Sequence, residues 1–486
     1  MSTIAKLKKA GSWQTLQMMV IVISQFVYIG TMARLLSKAD FGLMAIASAF
    51  IGFGTIFSEG GMGAALIQRK NITQKHMNAA LQSGILIGGL IFTVFFFSSK
   101  YIATFFDQPQ LDMLIKVIGV NVVLHAVSGT SMMLLQKYFQ FHKTALITIT
   151  STIIGYIVGI LLAFEGYGVW SLVVVTLTTS LINAAGFLYL VPVKFSLQVH
   201  IKEWKELFSF GSGIILLQFA NFFSERGLNL ILGKILTVDL LGVFERTSII
   251  KILPSVYIGK ILDTIMFPVM SEIQDEHERL FRIYQQSLGM VNSLLMPIAA
   301  FLIFYSEEVV LILLGKDWLE AVIPLQIMFL VLPFSSSGRM ADSVIRAKGL
   351  IYKNVVRKYI YVTVLICTTT LGAYFYGVIG AAIAVTFSML FNYIIMLFLV
   401  KRVFKKPITE IFLKPVIEGV KLTTFVLIII AILNTLFNNW GQPSVLNFLI
   451  ISGIMTSVVL IIVLKKPSLL GHYLHLTINQ LLFKGK

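Results

Sequence analysis

ARLLSKADFGLMAIAS (residues 33–48) and GKILTVDLLGVFERTS (residues 233–248) read as one helix, loop and helix written twice, at an ungapped shift of 200 residues. Leu36 falls on Leu236, Gly42 on Gly242 and Ser48 on Ser248, and upstream Gly11-Ser12 falls on Gly211-Ser212. Further along, Tyr167-Gly168-Val169 falls on Tyr376-Gly377-Val378 and Asn183 on Asn392, at a shift of 209. Apolar helices match by chance, but two separate blocks agreeing in order point to an internal duplication.

The chain around these blocks is 486 residues long, 57% hydrophobic and 13% charged, with a mean hydropathy of +0.88. A soluble domain carries about 25% charged residues. The apolar excess sits in blocks of about twenty residues or more, the length that crosses a hydrocarbon layer about 30 Å thick. These numbers exclude a soluble multidomain protein. Fourteen candidate spans follow, at approximately 13–36, 41–66, 78–98, 111–135, 144–164, 168–191, 207–236, 240–266, 285–304, 321–341, 357–375, 378–400, 416–437 and 445–464. Barrel strands would be about ten residues long with alternating polarity, and runs such as Val20–Val27 and Val426–Leu433 do not alternate. The expected class is therefore an all-α polytopic membrane protein. Its single cysteine, Cys367, excludes an internal disulfide. Lys6, Lys8 and Lys9 precede an apolar block too long for a signal peptide, so the first span is expected to remain uncleaved.

Thirty-nine Lys and Arg against 22 Asp and Glu give a net charge of +17. In a membrane chain this excess speaks first to orientation rather than to nucleic acid. With the N-terminus inside, only Arg34, Lys38, Lys100, Lys116, Lys234, Arg246 and Lys316 fall outside, while Arg226, Lys251 and Lys260 fall within spans. The remainder cluster in cytoplasmic segments such as Lys401, Arg402, Lys405 and Lys406. That bias predicts an even number of spans with both termini cytoplasmic, and the basic loops are topology signals first and lipid-headgroup contacts second.

Six spans per repeat is an even number, so the two lobes share an orientation and are related by a pseudo-two-fold axis along the membrane normal. Parallel repeats of this kind belong to transporters whose lobes rock about a central substrate. The expected divisions are 1–200 for spans 1 to 6, 201–406 for spans 7 to 12, and 407–486 for an appended hairpin and tail.

Ionisable groups inside a span normally face a cavity or a partner. Gln218, Asn221, Glu225 and Asn229 are spaced three, four and four apart, which places them on one face of a regular helix. The repeat sets Gln25 against Glu225, so spans 1 and 7 are candidate cavity walls. In span 8, Arg246 and Lys260 either line that cavity at two depths or snorkel to the interfaces, and Lys251 lies near mid-span. Arg226 adds a further cation beside Glu225. Glu59, beside Gly60, Gly61 and Gly63, either fixes packing or serves transport. Arg339 and Asp342 are a pair near the loop or a gate, and His125 is expected to be a packing residue. Walker, G-x-S-x-G and HExxH signatures are lacking, the loops are short, and no metal site or cofactor is indicated. An integral-membrane polysaccharide polymerase or ligase would be expected to carry a large outer catalytic loop, whereas the outer connections here are short.

ARLLSKADFGLMAIASAF with FSEGGMGAALIQRK (residues 33–70), and KILPSVYIGKILDTIMFPVMSEIQDEHERLFRIYQQSL (residues 251–288), resemble the lipid-linked oligosaccharide flippases of bacterial polysaccharide synthesis. These form a branch of the multidrug/oligosaccharidyl-lipid/polysaccharide exporter superfamily that handles O-antigen, colanic acid and teichuronic acid units. The resemblance implies a substrate of undecaprenyl-pyrophosphate-linked oligosaccharide, carried from the cytoplasmic to the outer face of the inner membrane. It also implies the lipid bilayer and polysaccharide polymerase machinery as partners. Arg226, Arg246, Lys251 and Lys260 are then candidate cations for the pyrophosphate, and Gln25, Gln218, Asn221 and Asn229 candidate partners for the sugars. Coupling to H⁺ or Na⁺ would run through Glu225, with Glu59, Arg339 and Asp342 as further coupling or gating candidates. Related flippases often place an arginine in the first span where this chain has glutamines, so no individual residue role is carried over. The alternative within the superfamily is a cation-coupled multidrug exporter.

Overall fold

The computed structural model describes residues 3–59, 65–67, 69, 71–192, 198, 201–438 and 444–465, with side chains left out at 3–12, 59, 209–214, 216–217, 256–265, 267–268, 351, 436–438, 444, 455–456 and 458–465. Among the described residues the chain is helical, without strands. Nine helices among the described residues are long and apolar enough to cross a membrane, and a tenth forms if Lys316–Phe329 and Leu332–Ala347, bent by 43°, count as one span. One of the nine, Ile351–Phe404, is broken inside by the non-helical Tyr376 and Gly377 and therefore holds expected spans 11 and 12.

Backbone chemistry explains that break. Gly377 sits at φ 57° and ψ −140°, and Gly168, its partner in the repeat, at φ 53° and ψ −132°. Only glycine enters this region without a Cβ clash, so both hairpins turn on the same residue type. A second turn recurs at a shift of 210. Phe139 at φ 55° and Gly349 at φ 69° each follow a helix end. There Gln140 N–H bonds Leu135 O at 2.8 Å and Leu350 N–H bonds Ile345 O at 3.0 Å, the six-to-one bond that closes a helix on a left-handed residue. Asn183 and Asn392 also act alike as acceptors. Asn183 Oδ1 accepts from Ser151 Oγ at 2.8 Å, and Asn392 Oδ1 accepts from the Arg357 guanidinium.

The chain forms two compact units, 1–245 and 246–486. Within the first, Ser37 caps span 2: its hydroxyl donates to Asp40 at 2.7 Å and accepts from the Asp40 N–H at 3.2 Å. Thr237 accepts from Leu240 N–H at the start of span 8. These two capped helix starts cross each other, and the glycines aligned by the repeat are the crossing point. A Cβ on Gly42 would lie 2.0 Å from the Val238 carbonyl oxygen, and one on Gly242 would lie 2.1 Å from the Lys38 carbonyl oxygen and 3.2 Å from Gly42 N.

Within the second unit, residues 267–284 are mostly helix. Val238–Glu272 and His277–Phe304 are separated by only four residues. Leu280, Phe281 and Tyr284 are buried while Glu278, Arg279 and Arg282 are exposed, so the start of His277–Phe304 is amphipathic. His277–Phe304 packs against Lys414–Asn438, the first helix of the expected appended hairpin. Gly419 permits that approach, since a Cβ there would lie 2.6 Å from Met296 Sδ and 2.8 Å from Asn292 O.

Candidate functional site

Span 7 is not one regular helix. Ile201–Phe222 gives way to a π turn at Phe223–Gly227, followed by Leu228–Ile235. Such a turn bonds i to i+5, inserts one residue into the helical phase and often marks a functional position. The single polar face expected for Gln218, Asn221, Glu225 and Asn229 is therefore split. Gln218 and Asn221 precede the turn, Asn229 follows it out of phase, and Arg226 is the residue five after Asn221. Glu225 and Arg226 are both exposed, and neither has a salt-bridge partner among the described residues.

Two observations fix the surroundings of Arg226. A Cβ on Gly52 of span 2 would meet Arg226 Cδ at 3.0 Å and Phe222 Cε2 at 3.4 Å, so the missing side chain at position 52 is the space in which the arginine stem lies. The guanidinium is also within electrostatic reach of His125 on span 4. His125 thus lies within electrostatic range of a cation of the candidate site, which its isolation in the sequence did not disclose. An aromatic wall adjoins them, in which Phe53 meets Phe222 at 5.7 Å and Phe219 at 6.1 Å, and Phe219 meets Phe223 at 5.0 Å between ring centroids. The sequence signal was present in Phe53, Phe57, Phe219 and Phe223 at i, i+4 spacing, but core packing gives the same pattern. On span 1, Gln25 is half-buried, and Tyr28 one turn away stacks on Tyr156 at 4.1 Å.

In the second unit Arg246 and Lys251 are both 8% exposed. Lys251 makes no hydrogen bond or ion pair among the described residues. A buried ammonium without an acid is costly, so the charge of this lysine does not favour packing. Arg339 and Asp342 do not pair. Arg339 donates to the Ser255 carbonyl at 3.0 Å and to its hydroxyl, and Ser255 meets Ser336 at 2.9 Å. Asp342 instead binds Arg346 at 3.2 Å, accepts from Asn354 at 2.7 Å and lies 3.6 Å from Arg357. Their three-residue spacing permitted contact on a helix, but each side chain found a better-placed partner on another segment or one turn on. The side chains of Glu59 and Lys260, and Gly60, Gly61 and Gly63, lie outside the described residues.

At the end of the spans that carries most of the basic residues, Glu206 accepts from Arg69 at 2.5 Å and meets His76 Nε2 at 3.4 Å. The Arg69 hydrogen bond, then that of His76, holds the Glu206 carboxyl below its ordinary range. Gln82 Nε2 donates to Gln198 O at 3.0 Å beside it. Together these bonds tie the segment leading into span 7 to spans 2 and 3.

A π turn carrying an arginine that pairs with no carboxylate among the described residues can offer charged hydrogen bonds to an anion. Comparisons with known proteins give the family. The sequence profile of the family described as "Polysaccharide biosynthesis protein" matches residues 31–323. The lipopolysaccharide biosynthesis protein WzxC of Escherichia coli (strain K12) is 21% identical over 408 residues, covering 82% of this chain and 81% of that one. The succinoglycan biosynthesis transport protein ExoT of Rhizobium meliloti (strain 1021) is 22% identical over 301 residues, covering 61% and 60%. Among solved structures, the lipid II flippase MurJ in an inward closed conformation matches with a TM-score of 0.69 and 17% identity, over 92% of this chain and 99% of that one. The match is to fold, and it extends over nearly the whole of both chains. With more than half of its length under the family profile, this multi-pass membrane chain belongs to the polysaccharide biosynthesis protein family.

Proposed function

We propose that the protein is a flippase rather than an enzyme, turning undecaprenyl-pyrophosphate-linked oligosaccharide over from the cytoplasmic to the outer face of a bacterial inner membrane. The observation that carries this reading is Arg226. It is a permanent cation within the span, set off by a π turn, given room by Gly52 and without a carboxylate partner among the described residues. A pyrophosphate accepts charge-assisted hydrogen bonds from such a group, and the aromatic wall of Phe53, Phe219 and Phe223 offers sugar rings an apolar face. Movement follows by alternating access of the lobes at 1–200 and 201–406, with 407–486 appended and both termini cytoplasmic. Polysaccharide polymerase machinery would receive the unit on the outer face.

The test is translocation of a fluorescent undecaprenyl-pyrophosphate oligosaccharide in proteoliposomes. Loss of one charged hydrogen-bond donor costs about 1.5 to 3 kcal/mol, so Arg226→Ala should slow translocation by about 10- to 100-fold, with Arg226→Lys intermediate. Translocation no faster than in empty vesicles, or drug efflux independent of any polyprenyl lipid, would replace this reading with the multidrug exporter. Coupling to H⁺ or Na⁺ through Glu225 requires that Glu225→Gln abolish the ion-gradient dependence of the rate.

A further inference from the structure

A cavity of about 750 Å³ opens on the side of the first unit, at the end of the spans remote from the basic loops. Phe50, Tyr101, Phe105 and Phe106 line one wall, and Leu230 and Ile231 the other. Tyr101 is 79% exposed and Phe105 58%, which sets the mouth on the lateral surface, where the bilayer supplies the neighbour.

The polar end of this groove is a matched pair of charges. Lys234, at the close of span 7, donates to Asp107 at 2.8 Å and to the Phe105 carbonyl at 2.7 Å, and its ammonium lies 5.2 Å from the centroid of the Phe105 ring. Asp107 is presented by a left-handed turn at φ 55°, closed by Asp107 N–H to Thr104 O at 3.2 Å and Gln108 N–H to Ala103 O at 2.9 Å. Its side chain is 79% exposed. An ammonium and a carboxylate thus stand side by side at the mouth of a cleft whose other walls are almost wholly apolar.

We propose that this groove binds one phospholipid with a primary-ammonium zwitterionic headgroup. An acyl chain lies along the aromatic wall, the phosphate accepts from Lys234, and the lipid ammonium donates to Asp107. Charge complementarity selects that occupant. A phosphate with a net negative headgroup meets repulsion from Asp107, and a quaternary ammonium has no N–H to donate to the carboxylate. The groove's lining on span 7 begins at Leu230, one turn beyond Arg226, and the assignment does not rest on what is transported.

Native mass spectrometry of the full-length protein, released from detergent with equimolar phosphatidylethanolamine, phosphatidylglycerol and phosphatidylcholine of identical chains, tests the assignment. The wild type should retain phosphatidylethanolamine over phosphatidylglycerol by about tenfold, the scale of one charged hydrogen bond. Lys234→Ala should remove that retention, and Asp107→Asn should erase the preference over phosphatidylcholine. Ile231→Trp, which fills the cleft and leaves both charges, should lower retention of all three lipids. Equal retention of the three by the wild type, a preference for phosphatidylglycerol, or a preference untouched by all three variants overturns the site. Translocation measured on the same preparations reports separately on the flippase reading.

Discussion

Lys251 is a residue at which stability and function can be tested against each other. It is 8% exposed and has no described partner, so its charge is a standing cost to the folded state. Lys251→Met keeps the stem and removes the charge. The variant should unfold at a higher temperature in detergent, by an amount corresponding to about 1 kcal/mol or more, while translocation falls. A variant both less stable and fully active would show that the lysine is only packing. Glu206 responds to pH in a definite direction. Its folded carboxyl titrates below the unfolded one, so the tie to Arg69 and His76 is complete above the ordinary carboxylate range and is lost as pH falls through the depressed value. Hydrogen exchange of the first turns of Ile201–Phe222 should therefore accelerate in acid, and Glu206→Gln should show the fast exchange already at neutral pH.

The element that bears most directly on movement is the crossing of the span 2 and span 8 helix starts. Their backbones touch through Gly42 and Gly242, and the atoms a Cβ would strike are carbonyl oxygens, which cannot swing aside. Gly42→Ala must push the helix starts apart by roughly the excess over ordinary contact, about 1 Å or more. Spin labels placed at Lys38 and Val238 should report a longer distance in Gly42→Ala than in the wild type. An unchanged distance would mean that the crossing yields elsewhere and that Gly42 does not set it. The π turn belongs to the same scale. One inserted residue in span 7 puts Asn229 out of phase with Gln218 and Asn221, which regular 3.6-residue spacing would keep on one face.

For the whole molecule, the uneven placement of lysine and arginine predicts that both ends of the chain lie on one side of the membrane. Replacing Cys367 and adding single cysteines near the N-terminus and after span 14 should give labelling by a membrane-impermeant reagent from the same side only. Labelling from opposite sides would require an odd number of spans. Much of this scale was legible in the chain itself. Tyr167-Gly168-Val169 and Tyr376-Gly377-Val378 marked a duplication, and the structure gives those glycines nearly the same torsion angles. Helix class, span lengths and repeat follow from local composition, because a backbone in hydrocarbon must satisfy its own hydrogen bonds and helices do so within one segment. The site was legible only in its ingredients. Arg226 and Lys251 stood out as charges in apolar runs, but the sequence could not place Gly52 and His125 beside Arg226, keep Arg339 from Asp342, or split span 7. Those outcomes depend on which side chains from distant segments compete for the same space and the same hydrogen bonds, and only tertiary packing sets that competition.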